Sequence, residues 1–183
     1  IEHTIPGFED YNERIRHPGG FRMPLPPTER IWPTPTGKAM FSVFKGVHEN
    51  SRVDGDDVMR LVTLRSHDQY NTTIYAMDDR YRGVFGRRDV LFMNEQDMAE
   101  QGLEHGDRVD IFTALPNSDL RLEDITVVAY SIAPGTVGAY YPEANVLVPL
   151  DYIDEESGTP SYKSVPIRLT LRSKEVRAVP GLR

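Results

Sequence analysis

The sequence predicts a mainly β domain, built as a small barrel with short helices, behind an extended N-terminal strap. Three observations predict this fold class. Short segments rich in β-branched and apolar residues recur from residue 57 onward. Only one or two short segments have a helical pattern. Residues 1–56 carry repeated proline and glycine, which interrupt helices and central strands. We therefore expect a connector at 1–56 and a barrel domain at 57–183.

The individual elements follow from local patterns. The segment 58–64 is apolar and β-branched, as expected of a buried strand. A helix of about two turns is predicted after Asn94, which is a suitable N-cap, and before Gly102, which is a suitable C-cap. Within the connector, 39–44 is expected to form a short strand and 50–57 a loop. The remaining predicted strands lie at 90–93, 108–113, 125–130, 136–141, 146–150 and 165–171.

Composition excludes several classes of function. The net charge is −7 and no lysine- or arginine-rich block is present, which argues against a nucleic-acid partner. The densest basic cluster, Arg87 and Arg88, is typical of solvated surface. No apolar run approaches the ~20 residues of a membrane span. The chain has no cysteine, which excludes disulfides and thiol nucleophiles and is compatible with the cytoplasm, where we expect the protein. Because the sequence begins with Ile1, we expect it to be part of a longer protein.

Signatures of catalysis are absent from the sequence. It contains no phosphate loop, dinucleotide fingerprint, nucleophile elbow or zinc-protease motif. The five histidines are scattered without ligand spacing, so no protein metal site is expected. Paired acids at 56–57, 78–79 and 155–156 are typical of solvated turns in a chain with 28 acidic residues.

The loop from Arg65 to Thr73 is unusually dense in hydrogen-bonding side chains and directly follows a predicted buried strand. Arg65 is suited to a phosphate or to the edge of a planar heterocycle. Gln69 and Asn71 both donate and accept, as recognition of a pterin or guanine requires. The alternative is an ordinary polar loop in which Asn and Asp form local turns.

Two further segments have a similar character. Residues 140–145 combine two tyrosines, an acid and an amide after a predicted strand. Residues 157–163 form a glycine- and proline-containing turn that leads through Tyr162 and Lys163 into the last predicted strand. Half-buried tyrosines and a surface loop are the alternative interpretations. Neither segment is specific by itself.

In their order and spacing, these segments resemble the C-terminal molybdopterin dinucleotide-binding domain of the formate dehydrogenase and nitrate reductase superfamily. The resemblance covers nearly the whole chain and is closest to formate-dehydrogenase-like alpha subunits. It includes the Thr-Pro-Thr-Gly-Lys-Ala entry at 34–39 and the helix–turn–strand signature at 94–109. The Pro-Gly-Phe-Glu-Asp-Tyr segment at 6–11 and Pro-Gly-Gly-Phe at 18–21 resemble that subgroup in particular.

The resemblance implies a double-psi β-barrel that binds part of molybdenum bis(molybdopterin guanine dinucleotide). It also implies that the metal ligand and acid–base residues lie in preceding domains of the same polypeptide. We therefore assign no catalytic residue here and expect the isolated chain to be inactive, although the parent protein would be an oxidoreductase. The cofactor-binding candidates implied by the resemblance are Arg65, His67, Gln69, Asn71, Thr72, Tyr141, Glu143, Asn145, Tyr162 and Lys163.

Two alternatives belong to other classes. A double-psi barrel also resembles the substrate-recognition N-domains of chaperone ATPases, which would make this chain a protein-interaction module. The dense polar set at 65–72 suits a pterin and is not needed for peptide capture. A free-standing barrel enzyme of the aspartate decarboxylase type matures at a Gly-Ser bond, and this sequence contains no Gly-Ser dipeptide.

Overall fold

The computed structural model describes residues 1–41, 55–155, 157–174 and 181–182. The chain divides into two compact units, Ile1–Asn50 and Ser51–Arg183. The described part of the first unit contains the short helix α1 (Tyr11–Arg14) and a 3-10 helix, Pro26–Glu29, whose first residues are proline. The assignment of 1–56 as a connector and 57–183 as the barrel domain stays a prediction.

A closed barrel forms the second unit, with strand order β1–β5–β2–β4–β3–β6. Strand β1 pairs parallel with β5, and β2 pairs parallel with β4. The other four neighbouring pairs are antiparallel. The strands are β1 (Met59–Leu64), β2 (Val90–Met93), β3 (Arg108–Thr113), β4 (Arg121–Ala129), β5 (Thr136–Tyr140) and β6 (Val165–Ser173).

Burial of alternate strand residues explains the core. Successive side chains of a strand point to opposite faces, so Leu91 and Phe92 of β2 enter different clusters. Leu91 belongs to the main cluster, which includes Leu61 of β1 and Ile167 of β6. Phe92 belongs to a second cluster. Both faces of β2 are therefore covered, which is why all four of its residues are buried.

Helix α2 (Glu95–Glu100) begins where the sequence predicts. The side chain of Asn94 accepts a hydrogen bond from the amide of Gln96 at 2.8 Å, which satisfies one of the free donors of the first turn. Gly102 follows with φ +66°, a left-handed conformation that glycine adopts without steric cost. The predicted N-cap is confirmed.

The predicted mainly β fold with a double-psi barrel is confirmed. The predicted strand at 146–150 is wrong, because Glu143–Leu147 forms a 3-10 helix. Only Leu147 is fully buried in the predicted strand, while Leu150 is fully exposed, so the segment lacks the burial of a core strand. Of the predicted strand at 39–44, residues 39–41 are not in a strand and 42–44 lie outside the described residues. The predicted loop at 50–57 also lies mostly outside them. No helix in the described ranges is long and apolar enough to cross a membrane.

Candidate functional site

The three segments singled out in the sequence meet at one end of the barrel. Because β1 and β5 run parallel and are paired up to Leu64 and Tyr140, the loops that follow these two residues leave the same edge. Strand β6 runs antiparallel to β1, so the segment preceding β6 reaches this edge as well. The amide of Thr63 donates to the carbonyl oxygen of Tyr162 at 3.2 Å, which joins the third segment to β1.

A cavity of about 480 Å³ lies between these segments. Among the described residues that line it, two side chains, Arg65 and Lys163, are cations, and none is a carboxylate. The remaining lining residues provide amides, hydroxyls and phenol rings. The cavity therefore combines positive charge with groups that donate and accept hydrogen bonds. Its lining residues are Thr63, Arg65, Asn71, Thr72, Tyr141, Asn145, Tyr162 and Lys163.

Seven of the ten predicted cofactor-binding residues line this cavity. Thr63 also lines it and was missed in the sequence, because a buried threonine inside a strand resembles any other core position. The other three predicted residues, His67, Gln69 and Glu143, do not line the cavity. Each of these three is instead hydrogen-bonded to buried side chains next to it.

Arg65 is held across the cavity by two hydrogen bonds. Its Nε donates to the hydroxyl of Tyr141 at 2.5 Å, and its Nη2 donates to Oδ1 of Asn71 at 2.7 Å. Asn71 has φ +48°, a left-handed conformation that asparagine tolerates better than most residues. These contacts fix an exposed guanidinium in the lining of the cavity.

Lys163 provides the second positive charge of the cavity. Its ammonium group donates to the carbonyl oxygen of Thr63. Burial lowers the pKa of Lys163, and the nearby charge of Arg65 lowers this pKa further. Two like charges that line the same cavity repel each other, so an anionic ligand bound between them would be stabilised by both.

Gln69 connects the two loops from behind the cavity. Its Nε2 donates to the carbonyl oxygens of Asn71 and Tyr141, each at 2.8 Å. Its Oε1 accepts from the amide of Ser66 at 2.9 Å. Gln69 is 8% exposed and its polar atoms are occupied by protein groups, so it shapes the loops around the cavity.

Arg88 is buried beside this network, which corrects the prediction of a solvated basic cluster. Its guanidinium donates to Glu143, Ser66 and Gln69. A sequence gives no indication of this arrangement, because the partners are 19 to 55 residues away along the chain. Glu143, predicted as a cofactor residue, is thus paired with an internal arginine at 2.6 Å.

His67 faces a buried carboxylate rather than the cavity. Its Nδ1 lies 2.8 Å from Oδ1 of Asp79, whose other oxygen accepts from Arg82 at 2.6 Å and Tyr140 at 2.8 Å. Asp79 is 1% exposed, so the prediction of a solvated turn at 78–79 is wrong for this residue. The charge is tolerated because three side chains surround it.

A second cavity of about 600 Å³ lies on the far side of Asn145. The described residues that line it are 115–120, 145–146 and 148–152, which include Asp119, Asp151 and the exposed Leu150 but no basic side chain. Phosphate groups would therefore favour the first cavity over the second. Among the described residues, no group of three or more His, Cys, Asp and Glu side chains is arranged to hold a metal ion.

The barrel and its polar, cationic cavity define a cofactor-binding domain. The sequence model of the family described as "Molydopterin dinucleotide binding domain" matches residues 59–166, more than half of the chain. This chain therefore belongs to the molybdopterin dinucleotide-binding domain family, as the resemblance predicts. A molybdopterin cofactor is the class of ligand that the family binds.

The chain is also similar to several longer proteins of known sequence. The chain is 46% identical over 172 residues to Protein YdeP of Escherichia coli, covering 92% of this chain and 23% of that protein. It is 46% identical over 175 residues to an uncharacterized oxidoreductase of Mycobacterium tuberculosis, covering 92% and 22%. It is 30% identical over 152 residues to the assimilatory nitrate reductase of Haloferax mediterranei, covering 81% and 21%. The chain thus spans less than a quarter of the length of these relatives.

Proposed function

We propose that this chain is the C-terminal cofactor-binding domain of a longer, formate-dehydrogenase-like oxidoreductase. We further propose that the ligand is molybdenum bis(molybdopterin guanine dinucleotide) and that preceding domains of the same polypeptide complete its site. We place the protein in the cytoplasm. The observation that carries the proposal is the cavity in which two cations, Arg65 and Lys163, occur together with amide groups and, among the described lining residues, without a carboxylate.

The residues at this cavity fit the chemistry of such a cofactor. A dinucleotide carries phosphate groups, which the guanidinium of Arg65 and the ammonium of Lys163 would bind through charge-assisted hydrogen bonds. Pterin and guanine edges both donate and accept, as do the amides of Asn71 and Asn145. Thr72 adds a hydroxyl, and Tyr141 and Tyr162 add phenol groups. A volume of about 480 Å³ is in the range of ligand pockets and would hold one part of the cofactor.

The roles of protein and cofactor differ in this proposal. When bound, the cofactor supplies the redox chemistry, whereas the side chains of this chain bind and orient it. His67, Gln69 and Glu143 contribute indirectly, because their described hydrogen bonds run to neighbouring side chains and backbone. A peptide-binding module is the alternative, and it does not account for two cations in one polar cavity.

The test is Arg65→Ala in the full-length protein. Hydrogen bonds to charged groups contribute about 1.5–3 kcal/mol, so the variant should lose about tenfold or more in cofactor affinity. Molybdenum and pterin per protein would be measured after purification. Arg172→Ala is the matched control, because Arg172 is an exposed arginine paired with Asp110 and Glu123 outside the cavity lining. Wild-type cofactor content in Arg65→Ala would contradict the proposal.

A further inference from the structure

Arg88 is the most buried cation near the site, and it does not line the cavity. Its side chain is 3% exposed, and the planar guanidinium lies against two aromatic rings. The centroid of Tyr75 is 4.3 Å from its central carbon, and the centroid of Tyr140 is 4.7 Å away. A group enclosed in this way cannot reach a ligand in the cavity, so any effect of Arg88 on binding must pass through other residues.

The two terminal nitrogens of the Arg88 guanidinium donate to the loop that follows β1. Its Nη1 donates to the hydroxyl oxygen of Ser66 at 2.8 Å, and its Nη2 donates to Oε1 of Gln69 at 3.1 Å. Along the loop, Ser66 directly follows Arg65, and Gln69 comes two residues before Asn71; Arg65 and Asn71 line the cavity. Holding the two buried residues therefore restrains the lining residue beside each of them.

The Arg88 guanidinium also donates to the segment that follows β5. The same Nη2 donates to the carbonyl oxygen of Tyr141 at 2.9 Å. Nε and Nη2 donate to the two carboxylate oxygens of Glu143 at 2.6 and 3.2 Å. Tyr141 lines the cavity and accepts a hydrogen bond from Arg65, and Asn145, another lining residue, lies two residues beyond Glu143.

We infer that Arg88 is a positioning residue for the cofactor site. Its guanidinium fixes the separation of the two loops whose outer residues line the cavity, and so it sets the place of Arg65, Asn71 and Tyr141. The inference rests on the proposed function, because it assumes that this cavity holds the cofactor. Only arginine has a planar fork with donors on both sides, so a lysine would keep the charge and lose the connection.

The test compares two neighbouring arginines in the full-length protein. Arg88→Lys should release the cofactor about tenfold faster than wild type, since the lining residues lose their fixed positions. Arg87→Lys is the control, because Arg87 is also largely buried and donates to Asp89 and Thr126, neither of which belongs to the cavity loops. Cofactor dissociation and the midpoint of thermal unfolding would be measured on both variants.

The outcomes separate positioning from general stability. The inference is supported if both variants lose a similar amount of thermal stability, but only Arg88→Lys releases the cofactor faster than wild type. If both variants release the cofactor faster in proportion to the fall in their unfolding midpoints, the inference is overturned. If Arg88→Lys does not fold, Glu143→Gln replaces it, because Glu143 is 31% exposed and its loss weakens only part of the arrangement. Wild-type release in Glu143→Gln would then overturn the inference.

A double-mutant cycle distinguishes this inference from the proposed function. If Arg88 acts through Arg65, the combined Arg65→Ala and Arg88→Lys variant should release the cofactor more slowly than the two single effects multiplied together. Multiplicative effects would overturn the positioning role while leaving the cavity as the cofactor site. Unchanged cofactor content and release in Arg65→Ala alone would instead reject the proposed function.

Discussion

At the scale of single residues, Asp79 is a buried carboxylate that is kept ionised. Burial by itself would raise the pKa of Asp79, but hydrogen bonds from Tyr140, Arg82 and His67 outweigh that effect and lower it to about 2. Burial and the hydrogen bond to Asp79 together raise the pKa of the Tyr140 hydroxyl, which stays protonated. This cluster connects the loop after β1 with the end of β5, behind the candidate site.

The lowered pKa of Asp79 predicts a specific pH dependence of stability. The usual pKa of an aspartate is 3.8, so the contribution of Asp79 is complete above about pH 5 and is lost as the pH falls through about 2. This contribution of Asp79 to the free energy of unfolding is about 2 kcal/mol. Asp79→Asn should therefore flatten the acid side of a stability curve measured by urea unfolding, and Tyr140→Phe should flatten it in part. If the free energy of unfolding of both variants falls at low pH as steeply as that of wild type, this pH dependence does not come from Asp79.

The burial of Asp79 in this cluster could not be predicted from the sequence. The pair 78–79 has the composition of a solvated turn, and Asp78 is indeed exposed. Asp79 has three donors, of which Arg82 lies three residues away, whereas His67 and Tyr140 lie 12 and 61 residues away along the chain. The partners of Arg88 are likewise 19 to 55 residues away. Because such distant partners leave no local pattern, the burial of Asp79 and Arg88 could not be predicted from the sequence.

At the scale of elements, helix α2 depends on its first residue. The side chain of Asn94 accepts from the amide of Gln96 at 2.8 Å and donates to the carbonyl oxygen of Ile132, also at 2.8 Å. Asn94→Ala removes both bonds and should lower the free energy of unfolding by about 1 kcal/mol. Glu100→Ala, in the exposed last turn, is the control and should change it by less than ~0.5 kcal/mol. Equal effects in a denaturant titration would argue against the cap.

Elements with a strong local pattern were predictable. The predicted bounds of β2 agree with the structure, and the predicted alternation of β3 agrees with its burial. The predicted alternation of β6 is wrong at Leu171, which is 44% exposed. The start of β4 could not be predicted, because three of the four residues 121–124 are charged and exposed, and only pairing with β3 makes the segment a strand. The segment 146–150 was misassigned because an apolar run does not distinguish a strand from a short helical turn.

At the scale of the whole molecule, strand order creates the site. Two loops that are more than 70 residues apart are joined through Arg65 and Tyr141 because β1 and β5 are parallel neighbours. The sequence indicated which three segments carry the polar residues, whereas their convergence depends on barrel topology. Seven of the predicted residues line the cavity, whereas the other three are hydrogen-bonded to protein groups next to it.

The most direct test of the central claim is an experimental structure of the full-length protein with its cofactor bound. We expect phosphate oxygens of a molybdopterin dinucleotide within about 3 Å of Arg65 and Lys163. We also expect Arg88 to keep its hydrogen bonds to Gln69 and Tyr141 without touching the cofactor. A bound cofactor that leaves the cavity lined by Arg65, Tyr141 and Lys163 unoccupied would show that this cavity is not the cofactor site.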